Sequence, residues 1–145
     1  MKNVFFSKIL ITTIGLMLSA FTTRTPDFII LPANTSIIVT LENEVNAETV
    51  VDREVLRFSV ERSVTVDYEK LILVKSAAYG YVKKNDGDIL EIEMTGVQAV
   101  DDTTIPIRGT LRKERQSRKG SIVIKNGTSI EALVRENVKV KLSSR

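Results

Sequence analysis

The sequence predicts an all-β domain: a small closed or nearly closed barrel, or a sandwich, of about eight to ten short strands built on repeated hairpins. Three observations predict it. First, one seven-residue unit recurs: Leu31-Pro32-Ala33-Asn34-Thr35-Ser36-Ile37, Leu73-Val74-Lys75-Ser76-Ala77-Ala78-Tyr79 and Ile124-Lys125-Asn126-Gly127-Thr128-Ser129-Ile130. Each copy starts and ends on an apolar residue and holds small or turn-forming residues between, which reads as strand, tight turn, strand. The flanks repeat too, since Leu41 to Val45 matches Val134 to Val138 in the same register. Second, several segments alternate apolar and polar residues, the period of a half-buried strand. Third, no long stretch carries the 3.6-residue period of an amphipathic helix.

In chain order, Phe28 to Leu31 is a first apolar strand and Pro32-Ala33-Asn34 turns the chain. Ile37 to Leu41 is rich in β-branched residues. Glu42 to Asp52 reads as a polar connection. From about Glu54, Leu56, Phe58 and Val60 share one face, with Arg57, Ser59 and Glu61 on the other. Asp67 to Lys70 is a turn, and the run Leu71 to Val74 suits a strand buried on both faces. In Ala77 to Val82, Gly80 marks a bulge or a close approach of strands. Asn85-Asp86-Gly87-Asp88 predicts a type I′ hairpin, after which Leu90, Ile92 and Met94 face in. Asp101-Asp102 is a turn. Thr104 to Leu111 is a strand whose Pro106 asks for a sheet edge or a bulge. Arg112 to Gly120 is a charged loop. Ser121 to Ile124 and Ile130 to Val134 flank a second hairpin turn at Asn126-Gly127, and Val138, Val140 and Leu142 alternate in a last strand.

The 145-residue chain has no His and no Cys, which removes imidazole bases, thiol nucleophiles and the common zinc and copper ligand sets. Lys2 and Lys8 flank the start of an apolar run from Ile9 to Phe21, followed by a polar lead-in over 21–27. A transmembrane helix needs about 20 apolar residues. This shorter run reads as the core of a signal peptide over 1–20, cleaved near Ala20. Removing it leaves 19 Lys+Arg against 18 Asp+Glu, since Lys2 and Lys8 come off the 21 cations of the whole chain. A nearly neutral mature domain argues against nucleic acid as the partner. Export without cysteines points to a bacterial setting, in the periplasm or cell envelope.

The repeats resemble those of small exported bacterial β-barrel domains marked by a recurring Ile-Pro-x-Gly-Thr unit. Leu31-Pro32-Ala33-Asn34-Thr35, Leu73-Val74-Lys75-Ser76-Ala77 followed by Gly80, and Ile124-Lys125-Asn126-Gly127-Thr128 carry the resemblance. Val100-Asp101-Asp102-Thr103-Thr104-Ile105-Pro106-Ile107 also fits a pattern of that group. More distantly, the arrangement over about 28–142 is similar to the C-terminal barrel of the conjugal-transfer scaffold protein of type IV secretion systems. The resemblance implies a non-enzymatic assembly part in the envelope and carries no catalytic residues. Gly is kept only at Gly127 and Pro only at Pro32.

Candidate sites follow from local chemistry. Arg112, Lys113, Arg115, Arg118 and Lys119, with Glu114, put five cations and one anion in eight residues. Such a stretch is either a solvated hairpin loop or a contact for an anionic partner: an acidic protein face, lipid headgroups or an acidic glycan. No aromatic residue lies among them to stack bases, so nucleic acid is again disfavoured. Tyr79 and Tyr81 share a strand face and form a candidate sugar-stacking platform. Asp101 and Asp102 are the candidates for a carboxylate hydrolase. Asn85-Asp86-Gly87-Asp88 lacks the ligand spacing of a calcium loop. The sequence therefore predicts a non-enzymatic envelope module that takes no metal or cofactor and binds another envelope protein. A glycan or cell-wall ligand and an anionic lipid surface are the alternatives.

Overall fold

The computed structural model describes residues 27–142, so the expected signal peptide and most of the lead-in lie outside the described residues. All the described regular structure is β. The strands are β1 (Phe28–Leu31), β2 (Ser36–Leu41), β3 (Val45–Asn46), β4 (Val55–Val60), β5 (Val64–Val66), β6 (Glu69–Ile72), β7 (Ala77–Asn85), β8 (Ile89–Gln98), β9 (Thr104–Arg108), β10 (Thr110–Glu114), β11 (Val123–Ile124), β12 (Ser129–Val134) and β13 (Val138–Lys141). Strands β8-β7-β4-β2-β12-β9 are hydrogen-bonded in that order, and β9 returns to β8, closing a six-stranded antiparallel barrel. β10 continues β9 along β8 as an extra strand. Closure leaves the barrel proper without free edges, the all-β solution to edge pairing.

The segments read as a repeated unit fold as corners and not as hairpins. β1 does not pair with β2, nor β11 with β12. Instead β1 pairs with β13, β11 with β3, and β2 with β12. The three ladders share one register, as Leu31↔Val138, Ile37↔Ala132 and Val45↔Ile124 show. The segments β1–β3 and β11–β13 thus embrace each other about a local pseudo-twofold axis. That symmetry is why Leu41–Val45 and Val134–Val138 match in sequence.

At each corner one residue adopts a positive φ, Asn34 at 63° in the first and Gly127 at 81° in the last. The Asn34 N–H donates to the Val134 carbonyl (2.8 Å), and the Val134 N–H donates to the Thr35 carbonyl (3.0 Å). The Gly127 N–H donates to Leu41 (2.8 Å), and the Leu41 N–H to Thr128 (2.9 Å). Each corner therefore caps the end of the other's strand. In both, a Thr hydroxyl donates to the carbonyl three residues earlier, at 2.7 Å (Thr35 to Pro32, Thr128 to Lys125).

The middle copy obeys the same rule one residue out of the predicted frame. Lys75 has the positive φ (66°), so Ile72, fully buried, takes the place of Leu31 and Ile124. Leu73, set there by sequence alone, is 45% exposed. The Lys75 N–H donates to Val60 and the Val60 N–H to Ser76. A fourth corner, missed in the sequence, closes the second reciprocal pair. Arg53 (φ 69°) donates to Val82, whose N–H donates to Glu54. A fifth, at Asp102 (φ 65°), folds onto its own β8–β9 hairpin.

Other expectations change locally. The segment 42–52 is not merely polar, because β3 lies in it and Val45 and Val50 are buried. Glu69 and Lys70 belong to β6, and the turn is Asp67-Tyr68, where two successive positive φ values form the type I′ geometry. At 85–89 only Gly87 has a positive φ (82°), so that hairpin is not type I′. Leu71 and Ile72 are buried, but Leu73 and Val74 are exposed. Thr104 to Leu111 splits at Gly109 into β9 and β10, so Arg112, Lys113 and Glu114 belong to a strand and the charged loop starts at Arg115. Pro106 lies inside the closed sheet and not at an edge: it sits opposite Gly96 of β8, but its carbonyl turns to the β12 side and accepts the Arg135 N–H (3.0 Å), so its missing N–H costs no bond to β8.

The interior is filled by side chains. Phe58, Met94, Ile92, Ile105, Ile107, Val39 and Val60 are among those with no or almost no exposure. Gly80 marks both a bulge and a close approach of strands, the two readings the sequence offered. A Cβ there would stand 2.8 Å from the Glu93 carbonyl oxygen and 3.2 Å from the Phe58 ring, and the β7–β8 register shifts at the same place. The β1–β13 ribbon and the β5–β6 hairpin close one end of the barrel through Ile29, Leu31, Leu71, Ile72 and Val140. The β3–β11 ribbon closes the other through Val45, Val50, Ile122 and Ile124. Apolar side chains thus fill the barrel and cap both ends.

Candidate functional site

The basic stretch divides between strand and loop. Along β10, backbone groups of alternate residues turn toward β8. The Met94 N–H donates to Gly109 (2.8 Å) and the Arg115 N–H to Asp88 (2.8 Å), which fixes the phase. Leu111 and Lys113, opposite Ile92 and Leu90, therefore bond β8. The N–H and C=O groups of Arg112 and Glu114 point away from it. Among the described residues, β10 has no ladder partner other than β8. The result is a short open edge on the main sheet.

Side chains around this edge are mostly occupied. Arg112 pairs with Glu114 at 2.9 Å, and the Lys113 ammonium donates to the Val123 carbonyl at 2.6 Å. Lys113 lies on the inner-face side of β10 and ties the strand to β11. Arg115 lies 3.6 Å from Asp88. Arg118 and Lys119 are exposed and make no ion pair among the described residues. Asp88, Ile89, Glu114, Arg115, Gln116, Ser117 and Arg118 line an open groove of about 660 Å³ between the loop and the β7–β8 hairpin. The structure thus assembles the five predicted cations at one end of β10, though only Arg118 and Lys119 are uncommitted.

That hairpin is rigidly made. The Asp86 carboxylate accepts the N–H groups of Asp88 and Ile89 and pairs with Lys84 at 2.9 Å. The Lys84 ammonium first, then the Ile89 N–H, hold its pKa down at about 2. The Asn85 side-chain amide donates to the Ala47 and Val50 carbonyls, joining the hairpin to the fourth corner.

Tyr79 and Tyr81 are on the barrel exterior, both half-buried. The Tyr81 hydroxyl donates to Glu93 (3.2 Å), which also pairs with Lys83 (3.3 Å) and Arg135 (3.6 Å). Hydrogen bonds to Glu91 and Glu93 raise the Lys83 pKa above its ordinary value. An open groove of about 500 Å³, lined by Arg53, Val55, Gly80, Tyr81, Lys83 and Thr95, runs beside Tyr81.

Asp101 and Asp102 serve the turn in which they sit. One Asp101 oxygen accepts the Thr103 N–H (3.0 Å) and the other the Lys141 N–H (2.8 Å), tying β13 to the barrel. Partial burial raises the Asp101 pKa, but the Lys141 and Thr103 donors outweigh it, so the net shift is downward. Asp102 accepts from the Gln98 side chain (3.1 Å). Among the described residues no group of three or more Asp and Glu gathers as a metal cluster would.

The open β10 edge was missed by sequence reading, which placed 112–114 in a loop. The alternation of Leu111 with Arg112 and Lys113 is too short to mark a strand. No protein-family model matches the chain, and no curated protein matches it in sequence.

Proposed function

We propose that the chain is a non-enzymatic module of a bacterial envelope that binds another envelope protein, taking an extended acidic segment of it along β10. The observation that carries this reading is the outward pair of backbone groups at Arg112 and Glu114, flanked by Arg115, Arg118 and Lys119. A partner strand added there gains main-chain hydrogen bonds. The cations choose its sign. Two copies of this chain set edge to edge would bring Arg and Lys against Arg and Lys, as protected natural edges do. An acidic segment meets no such penalty and is steered inward.

The test is titration with an extended Glu-rich peptide, read by anisotropy at low and high salt, beside its Lys-rich counterpart. Binding of the acidic peptide alone, weakened by salt and abolished in Arg112→Pro, is the expected result. Proline there removes an outward N–H and leaves the β8 ladder intact. Equal binding by Arg112→Pro, or none by the wild type, overturns the reading. The glycan alternative rests on Tyr79, Tyr81 and the groove beside them. Soluble wall polysaccharide that changes tyrosine fluorescence would favour it.

A further inference from the structure

We infer that the β1/β13 end of the barrel rests on an anionic lipid surface. This inference does not depend on the β10 edge. Large apolar side chains exposed on the described residues are unevenly placed. Phe28, Ile30, Tyr68, Leu73 and Val74 belong to the β1/β13 end, while Val51 and Val55 sit on the fourth corner. Ile29 and Leu31 plug the barrel, so Phe28 and Ile30 face outward from the same strand, 46% and 47% exposed.

Their partners on β13 are cations. Phe28 pairs with Lys141 and Ile30 with Lys139, and the Lys139 ammonium lies 4.9 Å from the Phe28 ring centroid. The outer face of the ribbon thus sets apolar residues directly beside lysines. That mixture suits a bilayer surface, where aromatic and aliphatic groups enter the acyl boundary and ammonium groups reach headgroup phosphates. A protein interface core is instead depleted in Lys.

Tyr68 adds an independent sign. It is fully exposed at the tip of the β5–β6 hairpin and has a φ of 67°, a conformation that costs a non-glycine residue energy. That φ belongs to the type I′ turn joining β5 to β6, whereas the ring itself packs on nothing in the fold and is left for a partner.

The chain has no cysteine, so Val74→Cys and Gln116→Cys each give a single labelling site, one at either end. Each variant, recovered from cells whether or not residues 9–21 remain, is labelled with an environment-sensitive fluorophore. It is then mixed with vesicles of phosphatidylglycerol and phosphatidylethanolamine. The expected result is a blue shift and a several-fold gain in emission at 74, quenched by a lipid-borne quencher, with 116 unchanged. Lys139→Glu with Lys141→Glu should weaken the change, as should phosphatidylcholine vesicles. Labels at 74 and 116 that respond alike, or a label at 74 that stays aqueous, overturn the inference. The second outcome leaves the patch to a protein.

Discussion

The two ends of the barrel are closed by the same device and finished differently. At each end a two-stranded ribbon lies across the opening, and the ribbons β1–β13 and β11–β3 are related by the same pseudo-twofold axis. Yet the β1/β13 end exposes Phe28, Ile30, Leu73 and Val74, while the β3/β11 end presents the 85–89 hairpin and the basic loop after β10. Symmetry governs what faces the core, because closure demands the same corner on both sides. It does not govern what faces out, so the exterior is where the ends have diverged. The two proposed contacts, a protein segment along β10 and a lipid surface at the β1/β13 end, rest on that difference.

Individual residues of the two plugs differ in depth, and this sets the largest expected effect. Leu71 at the β1/β13 end is fully buried, whereas Val50 at the other end is at the margin of burial. Leu71→Ala should cost about 2–5 kcal/mol. Val50→Ala removes less apolar area and should cost about 1–2 kcal/mol. Urea denaturation of both variants checks the ordering; equal losses would break the contrast.

The corners sharpen the comparison from inside the fold. Lys75 and Gly127 hold equivalent left-handed positions at opposite ends. A Cβ on Gly127 would meet nothing within 4 Å, so any loss on substitution is backbone strain alone. Gly127→Val should destabilise by about 1 kcal/mol or more, and Lys75→Gly should recover up to about 1 kcal/mol. Melting temperatures that move the same way in both variants would contradict the shared corner.

Acid gives the smallest effect. Asp86 has a depressed pKa, about 2 against an ordinary 3.8, so it stabilises the fold above its unfolded pKa. That contribution should fade as pH falls from near 4 through about 2, and Asp86→Asn should remove it. Asp101, also held low, should fade in the same direction. A pH profile of denaturation midpoints for wild type, Asp86→Asn and Asp101→Asn separates the two ends.

Much of this fold could be read from the sequence. The alternation of Leu56, Phe58 and Val60 and of Leu90, Ile92 and Met94 fixed which faces turn inward. The seven-residue unit announced the corners wherever Asn34 or Gly127 supplied a recognisable turn residue. Lys75 and Arg53 did not, since nothing in either side chain favours a positive φ. The middle copy was therefore misframed and the fourth went unseen. Pairing was also hidden. A corner and a hairpin have the same local sequence, and only distant partners such as Val134 for Asn34 tell them apart. For the site, the cations were plain in the sequence, but the strand that makes an edge beside them was not. β10 gains its order from β8, and its own residues, Thr110 to Glu114, bring only one apolar side chain.

The most direct test of the open edge is amide hydrogen exchange along β10, residue by residue. Arg112 and Glu114 should exchange rapidly while Leu111 and Lys113 are protected, and an acidic extended peptide should slow the first two. If Arg112 and Glu114 are already as protected as their neighbours, or if the peptide leaves them unchanged, the edge is not free and β10 is not where this protein takes its partner.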